Sequence, residues 1–90
     1  MANLSFEIQK SFGVLSKNDK EWQKEINIVR WHENRPKLDI RDWDSEHKKM
    51  GRGITFTPEE VEKAIEVFKS IDVEILREAY NSMTESDDKK

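Results

Sequence analysis

Apolar and polar residues alternate along the first half of the chain, with the period of two that is typical of β-strands. In residues 6–17, the apolar side chains Phe6, Ile8 and Val14 share one parity. Gly13 lies inside this run, and a glycine within an alternating segment indicates a bulge or bend. The pattern therefore predicts a first strand, irregular near its middle, over 6–17.

Three further segments have the same character, and polar turns separate them. The second begins at a tryptophan and is rich in Ile and Val, and the third begins after a proline, which suits the first position of a strand. The predicted strands are Trp22–His32, Lys37–Trp43 and Ile54–Phe56. Short connections between consecutive strands predict an antiparallel meander.

A helix start signal follows the fourth strand. Thr57 is an N-cap candidate, Pro58 suits the first helical position, and Glu60 completes a capping box. Apolar residues at helical spacing then continue to Tyr80, so one long helix is predicted. The segment 70–72, Ser-Ile-Asp, is a candidate bend.

The order β-β-β-β-α predicts an α+β fold, a four-stranded antiparallel sheet with one long C-terminal helix, in a single domain over residues 1–80. The polar end, residues 81–90, is expected to be a disordered tail. Hydrophobic residues make up 34% and charged residues 39% of the chain, a low apolar share for a self-sufficient core. We therefore expect a second copy of the chain to complete the burial, giving a homodimer.

The third strand carries the most informative pattern. Leu38 and Ile40 point to one face, whereas Lys37, Asp39, Arg41 and Trp43 point to the other. With the apolar pair turned to a core, the tryptophan and both cations are expected to be exposed together. Single-stranded nucleic acids are bound by such surfaces, because aromatic rings stack on bases and cations contact phosphates.

Charge is distributed unevenly along the chain. Residues 1–53 carry 11 Lys+Arg and 9 Asp+Glu, a net +2, and residues 54–90 carry 5 and 10, a net −5, which together give −3. A nucleic acid is therefore expected to meet the sheet rather than the helix. The chain has no cysteine, which excludes disulfides and thiolate metal sites. Its N-terminus has no long apolar run, so neither a signal peptide nor a membrane span is expected.

A basic segment connects the third and fourth strands. Lys48, Lys49 and Arg52 flank Gly51 and Gly53, and glycines allow close approach of a backbone to a phosphate. A plain solvated loop is the competing interpretation.

An acidic cluster with Asp42, Asp44 and Glu46 suggests a metal-dependent hydrolase as another interpretation. Its opening resembles a calcium loop but lacks the glycine at the sixth position. His47 lies beside two lysines, which disfavours a divalent ion. Because no nucleophile–base signature is present either, we expect no enzyme activity, no metal and no cofactor.

Three stretches together, KLDIRDW, KKMGRGITFTPEE and the helix to about residue 71, resemble the positive cofactor 4 family of transcriptional coactivators, particularly its compact bacterial members. More loosely, the resemblance reaches back to Trp22. It implies a curved sheet, a helix that dimerises with its twin, and β-ribbons that form a groove for single-stranded DNA. It places Lys37, Arg41 and Trp43 on the binding strand. Departures are a single aromatic residue after DIR, a longer helix and an acidic tail.

The resemblance further places Lys49 and Arg52 in the family's basic loop. Trp31 falls near the family's stacking aromatic residue at the end of the second strand, and Trp22 and Lys24 begin that strand. Pattern alone leaves open whether Trp22 and Trp31 lie in the core or at the surface. The candidate binding residues are Lys17, Trp22, Lys24, Trp31, Lys37, Arg41, Trp43, Lys49 and Arg52.

The function expected from these observations is largely sequence-independent binding of single-stranded DNA in transcription, replication or repair. The expected location is the cytoplasm, in association with the nucleoid. Single-stranded RNA remains an open ligand, and transcription or repair machinery an open partner. The alternative function is a protein-interaction adaptor that docks a partner through the amphipathic helix and acidic tail.

Overall fold

The computed structural model describes residues 5–83 and has an α+β architecture of four strands followed by two helices. The strands form one antiparallel sheet in the order β1-β2-β3-β4, which confirms the predicted meander. The strands are β1 Phe6–Lys17, β2 Gln23–Trp31, β3 Lys37–Trp43 and β4 Met50–Phe56. The bounds of β1 and β3 match the sequence prediction, whereas β4 begins earlier than predicted because it includes most of the glycine-containing segment.

The sheet is curved, and β1 is its most irregular strand. The pairing of β1 with β2 shifts register between Ile8 and Lys10, between Ser11 and Gly13, and between Val14 and Ser16. The bulge predicted at Gly13 is thus one of three. Each bulge bends the strand and increases its local twist.

Each of the three β-turns contains one residue in the left-handed region. Glu21, His32 and His47 have φ angles of 71°, 56° and 58°. Residues other than glycine rarely adopt a positive φ angle unless a turn requires it. The turn between β1 and β2 is also held by Asn18, whose side-chain oxygen accepts hydrogen bonds from the backbone N–H groups of Lys20 and Trp22.

The predicted single long helix is wrong, because the structure contains two helices, α1 Pro58–Lys69 and α2 Val73–Asn81. Ser70 caps the first helix, and the Asp72 side chain accepts a hydrogen bond from the backbone N–H of Glu74 to begin the second. The capping box at the start of α1 is confirmed. Most of the predicted tail, residues 84–90, lies outside the described residues.

Side chains of β2 and β3 divide into two faces. We call one the aromatic–polar face; it comprises Glu25, Asn27, Val29, Trp31, Asp39, Arg41 and Trp43. The other, the aliphatic face, comprises Ile26, Ile28, Leu38, Ile40 and, from β4, Ile54 and Phe56. The fully buried side chains are all on the aromatic–polar face: Asn27, Val29, Asp39 and Trp43.

The aliphatic face is less buried than the sequence analysis expected. Leu38 and Ile40 are only half-buried, and Ile54 is 54% exposed. Phe6 and Ile8 pair with Trp31 and Val29 and so lie on the aromatic–polar face. The sequence interpretation therefore assigned the deepest core to the wrong side of the sheet.

The helices cover the sheet incompletely. Helix α1 packs on β3 and β4, whereas α2 packs on no other element of residues 5–83. The radius of gyration is 16.1 Å, compared with about 12 Å for a compact chain of this length. None of the helices described combines the length and apolar character needed to cross a bilayer.

Candidate nucleic-acid interface

The structure brings part of the predicted binding set together on the aromatic–polar face. Trp31, Arg41 and Trp43 lie within one connected cluster, and Lys37 shares their face through its pairing with Val29. The other predicted residues lie around this cluster or away from it: Lys17 at the end of β1, Trp22 before β2, Lys24 on β2, Lys49 in the turn after β3 and Arg52 on β4.

Trp43 lies on the predicted face, opposite Leu38 and Ile40, but the expectation that its ring is exposed is wrong. Its relative exposure is 0%. Its ring contacts Phe6 at a centroid distance of 5.1 Å and His47 at 5.5 Å. These neighbours cover Trp43, so the ring is a core element in this conformation.

Trp31 is the tryptophan of this cluster that keeps exposed surface. Its ring is nearly parallel to that of Trp43, with an interplanar angle of 8° and a centroid distance of 6.1 Å, and Phe6 contacts it at 5.5 Å. Trp31 is half-buried and is the last residue of β2. It is thus a supported ring at the edge of an aromatic stack.

Arg41 and Asp39 are joined by a two-pronged ion pair next to Trp31. The Arg41 Nε donates to Asp39 Oδ1 at 2.7 Å, and its Nη2 donates to Oδ2 at 2.8 Å. The indole Nε1 of Trp31 donates to the same Oδ2 at 3.0 Å. The guanidinium carbon also lies 4.6 Å from the centroid of the Trp31 ring, within the range of a cation–π contact.

Gly53 makes room for Arg41. The two residues are opposite each other on β4 and β3. A Cβ atom at position 53 would collide with the Arg41 side chain and would lie 2.6 Å from the Ile40 carbonyl oxygen. The sequence analysis related this glycine to a phosphate, whereas the structure shows that its lack of a side chain accommodates the arginine.

A second polar group on this face is centred on Glu25. Its carboxylate accepts hydrogen bonds from Gln23, Asn27 and His47, the last at 3.0 Å to both oxygens. Burial acts to raise the pKa of Glu25, but the hydrogen bonds from His47, Asn27 and Gln23 outweigh it and hold the pKa below its ordinary value. This buried carboxylate is therefore stable in its charged form.

The basic segment after β3 is ordered by Asp44. Its Oδ1 accepts hydrogen bonds from the backbone N–H groups of Lys48 at 2.8 Å and of Lys49 at 3.0 Å. The backbone N–H of Lys49 contributes most to holding the pKa of Asp44 below its ordinary value. The turn consequently presents the two lysine side chains to solvent from a fixed backbone.

The exposed cations of the predicted set differ in their position. Lys37 is exposed on the aromatic–polar face, Lys49 is exposed in the turn before β4, and Arg52 is exposed on β4. Lys17 forms an ion pair with Glu21 at 3.0 Å. Lys24 pairs with Asp42 in the register of β2 and β3 and therefore lies on the aliphatic side, so the structure does not bring it to the cluster.

Three residues that complete the cluster were missed by the sequence interpretation: Phe6, Asp39 and His47. Asp39 had a detectable signal, because an Asp-x-Arg spacing on a strand places both charges on one face. Phe6 and His47 had none, since their positions depend on register and on a turn. Within residues 5–83, no group of His, Asp and Glu side chains is arranged to hold a metal ion.

Comparison with known proteins finds two similarities. A family model described as Transcriptional Coactivator p15 (PC4) matches residues 18–67, which contain β2, β3, β4 and most of α1. An uncharacterized protein of Treponema pallidum (strain Nichols) is 34% identical over 56 residues. That alignment covers 62% of this chain and 66% of the relative, just under two thirds of its length.

Proposed function

Because the chain belongs to the family of the transcriptional coactivator p15 (PC4), we propose that it is a non-enzymatic protein that binds single-stranded DNA with little sequence preference. Family membership supports a nucleic-acid-binding role in coarse terms. We propose further that the protein acts in transcription, replication or repair, in the cytoplasm near the nucleoid.

The observation that carries this proposal is the half-exposed Trp31, supported by aromatic neighbours and with Arg41 at 4.6 Å from its ring. Base–aromatic stacking contributes about 1–3 kcal/mol per base and is tolerant of sequence, since every base has a π-face. In this proposal Trp31 is the principal stacking ring, and the exposed Lys37, Lys49 and Arg52 contact phosphates. Trp22, half-buried immediately before β2, is a candidate for a further stacking contact.

A homodimer is the second part of the proposal. Large apolar side chains remain exposed on β4 and both helices, among them Ile54 at 54%, Phe68 at 67% and Leu76 at 60%. A monomer rarely leaves so much apolar surface in contact with water. A twin chain packed on the aliphatic face and helices would cover it. Sedimentation equilibrium at tens of micromolar protein tests this, and a purely monomeric profile would contradict it.

A tryptophan fluorescence titration tests the binding proposal. Oligo-dT, blunt duplex DNA and single-stranded RNA of equal length are titrated into the protein at several salt concentrations. We expect oligo-dT to bind more tightly than duplex, to quench the emission, and to bind more weakly as salt rises. Equal affinity for duplex and oligo-dT would contradict a stacking mechanism, and the RNA arm decides between the two single-stranded ligands.

A protein-interaction adaptor is the second candidate function, and one observation favours it. Helix α2 carries the exposed residues Val73, Ile75 and Tyr80 yet packs on no other element of the described chain. A partner protein bound there would leave the aromatic–polar face free. Substitutions on α2 that abolish the protein's biological activity while oligo-dT affinity stays unchanged would favour the adaptor.

A further inference from the structure

Asp39 is a fully buried carboxylate, yet it lies beside the residues that the proposed function places at the ligand. It accepts three hydrogen bonds, two from Arg41 and one from Trp31, at 2.7, 2.8 and 3.0 Å. A buried carboxylate is costly unless it is paired and hydrogen-bonded. Here Arg41 and Trp31, two side chains of the candidate interface, meet both requirements. The Asp39 carboxylate therefore orients both of these side chains.

The ion pair also determines what Arg41 can offer to a ligand. An arginine that binds phosphate usually presents its planar fork to the phosphate oxygens. In this structure the fork, Nε and Nη2, is occupied by Asp39, and Nη1 donates to the Gly51 carbonyl oxygen at 3.3 Å. The adjacent carboxylate also balances the positive charge. Three of the five guanidinium N–H groups are therefore occupied. The guanidinium lies over the indole ring of Trp31, and the Arg41 side chain keeps 15% of its surface exposed.

We propose that Asp39 is the positioning residue of the interface: it locks Trp31 and Arg41 into a preassembled platform that receives an unpaired nucleobase by stacking. Arg41 is then part of a base contact rather than a phosphate contact. This inference rests on the proposed function, and it changes the role that the sequence analysis gave to Arg41. Preorganisation of this kind strengthens binding, because the side chains lose little further freedom when the ligand arrives.

The test separates base contacts from backbone contacts by using two ligands. Affinities are measured for oligo-dT and for an abasic oligonucleotide of the same length, which keeps the phosphates but has no bases. The main variant is Asp39→Asn, which keeps the shape of the side chain and removes its charge. The matched control is Asp42→Asn. It removes the same charge three positions further along β3, on the opposite face of the sheet.

We expect Asp39→Asn to weaken oligo-dT binding by about tenfold, the size of one stacking contact, without weakening the binding of the abasic strand. Asp42→Asn should weaken neither. Arg41→Lys keeps the positive charge but has no planar group, so it should reproduce the selective loss on oligo-dT. The double variant Asp39→Asn/Arg41→Lys should lose little more oligo-dT affinity than either single variant, because both substitutions disrupt the same ion pair.

Each outcome has a distinct meaning. Wild-type affinity for oligo-dT in folded Asp39→Asn would overturn the inference and leave the proposed function intact. Equal losses on both ligands, or an Arg41→Ala variant with a salt slope reduced by about 0.7, would assign Arg41 to a phosphate. Failure of the wild-type protein to bind any single strand would overturn both proposals. If Asp39→Asn does not fold, Arg41→Lys alone decides with the same two ligands.

Discussion

The two faces of the sheet reverse the usual relation between polarity and burial. The aromatic–polar face contains every fully buried side chain of the described chain, including Asn27 and Asp39. The aliphatic face contains isoleucines and a leucine that are only half-buried or are exposed. A charged side chain in a protein interior must find partners locally, and Asp39 and Glu25 do so within one chain. An aliphatic surface needs only contact area, which a second molecule can supply.

In the proposed homodimer, the two faces are completed at different stages. The aromatic–polar face is buried within a single chain. The aliphatic face and the helices are covered only when the twin chain binds.

Trp43→Ala should destabilise the protein by about 3–5 kcal/mol, because it removes a fully buried ring and leaves a cavity beside Phe6 and His47. Urea denaturation of the variant measures this. The control is Leu15→Ala, which truncates a side chain that is 59% exposed and should change the free energy of unfolding by less than about 0.5 kcal/mol. An unchanged unfolding midpoint for Trp43→Ala would contradict the buried position of this ring.

Phe68→Glu should weaken the proposed dimer at least tenfold, about 1.4 kcal/mol, while the sheet stays folded. Phe68 is 67% exposed in the single chain, so a charge there disturbs only a surface that a twin would cover. Sedimentation equilibrium and circular dichroism on the same samples check both parts. Lys69→Gln changes the net charge by the same amount and should leave the dimer intact. Loss of the dimer in both variants would point to charge rather than packing.

Acidification should destabilise the aromatic–polar face through Glu25. Its pKa is lowered in the folded state, so its contribution to stability is present above its ordinary value of 4.5 and is lost as the pH falls through the folded pKa. Thermal melts between about pH 3 and 7 should therefore show a decline at the acid end. Glu25→Gln should be less stable near neutrality and should flatten this decline.

The control for the acid melts is Glu62→Gln, which replaces an exposed carboxylate of α1. It should reproduce the wild-type profile. A Glu25→Gln profile parallel to that of the wild type would show that other groups cause the acid dependence.

Substitution of two lysines on neighbouring strands tests which face of the sheet contacts the phosphates of the ligand. Lys37 is on the aromatic–polar face and Lys24 is on the aliphatic side, and both are exposed. Lys37→Ala should reduce the salt slope of oligo-dT binding by about 0.7, the value of one phosphate contact on a single strand. Lys24→Ala should leave the slope unchanged. Equal effects of the two substitutions would show that the ligand does not distinguish the faces.

Much of the fold was predictable from local signals. The period-two pattern located β1 and β3 to the residue, and Thr57 with Glu60 correctly predicted the start of α1. Because the apolar spacing continues through the helix break, the sequence predicted only a bend at residues 70–72, which is where α1 ends and α2 begins. Asp72 nevertheless had the side chain of an N-cap, which is how the structure uses it.

The candidate site was only partly predictable, for a physical reason. Alternation along β3 correctly placed Arg41 and Trp43 on the same face. Alternation assigns residues to a face, but it does not say how far that face is buried. Burial here depends on curvature, which arises from bulges in β1 and from contacts between residues distant in sequence, such as Phe6 with Trp43.

Gly53 has a genetic consequence. In a library of all single substitutions, this position should tolerate change as poorly as a binding residue, because any side chain there would displace Arg41. Arg41→Ala should not suppress the defect of Gly53→Ala, because the Cβ atom of residue 41 and the Ile40 carbonyl oxygen, both too close to the added Cβ, remain in that pair. A position with no side chain of its own would thus record, in such a library, how closely the neighbouring strand approaches it.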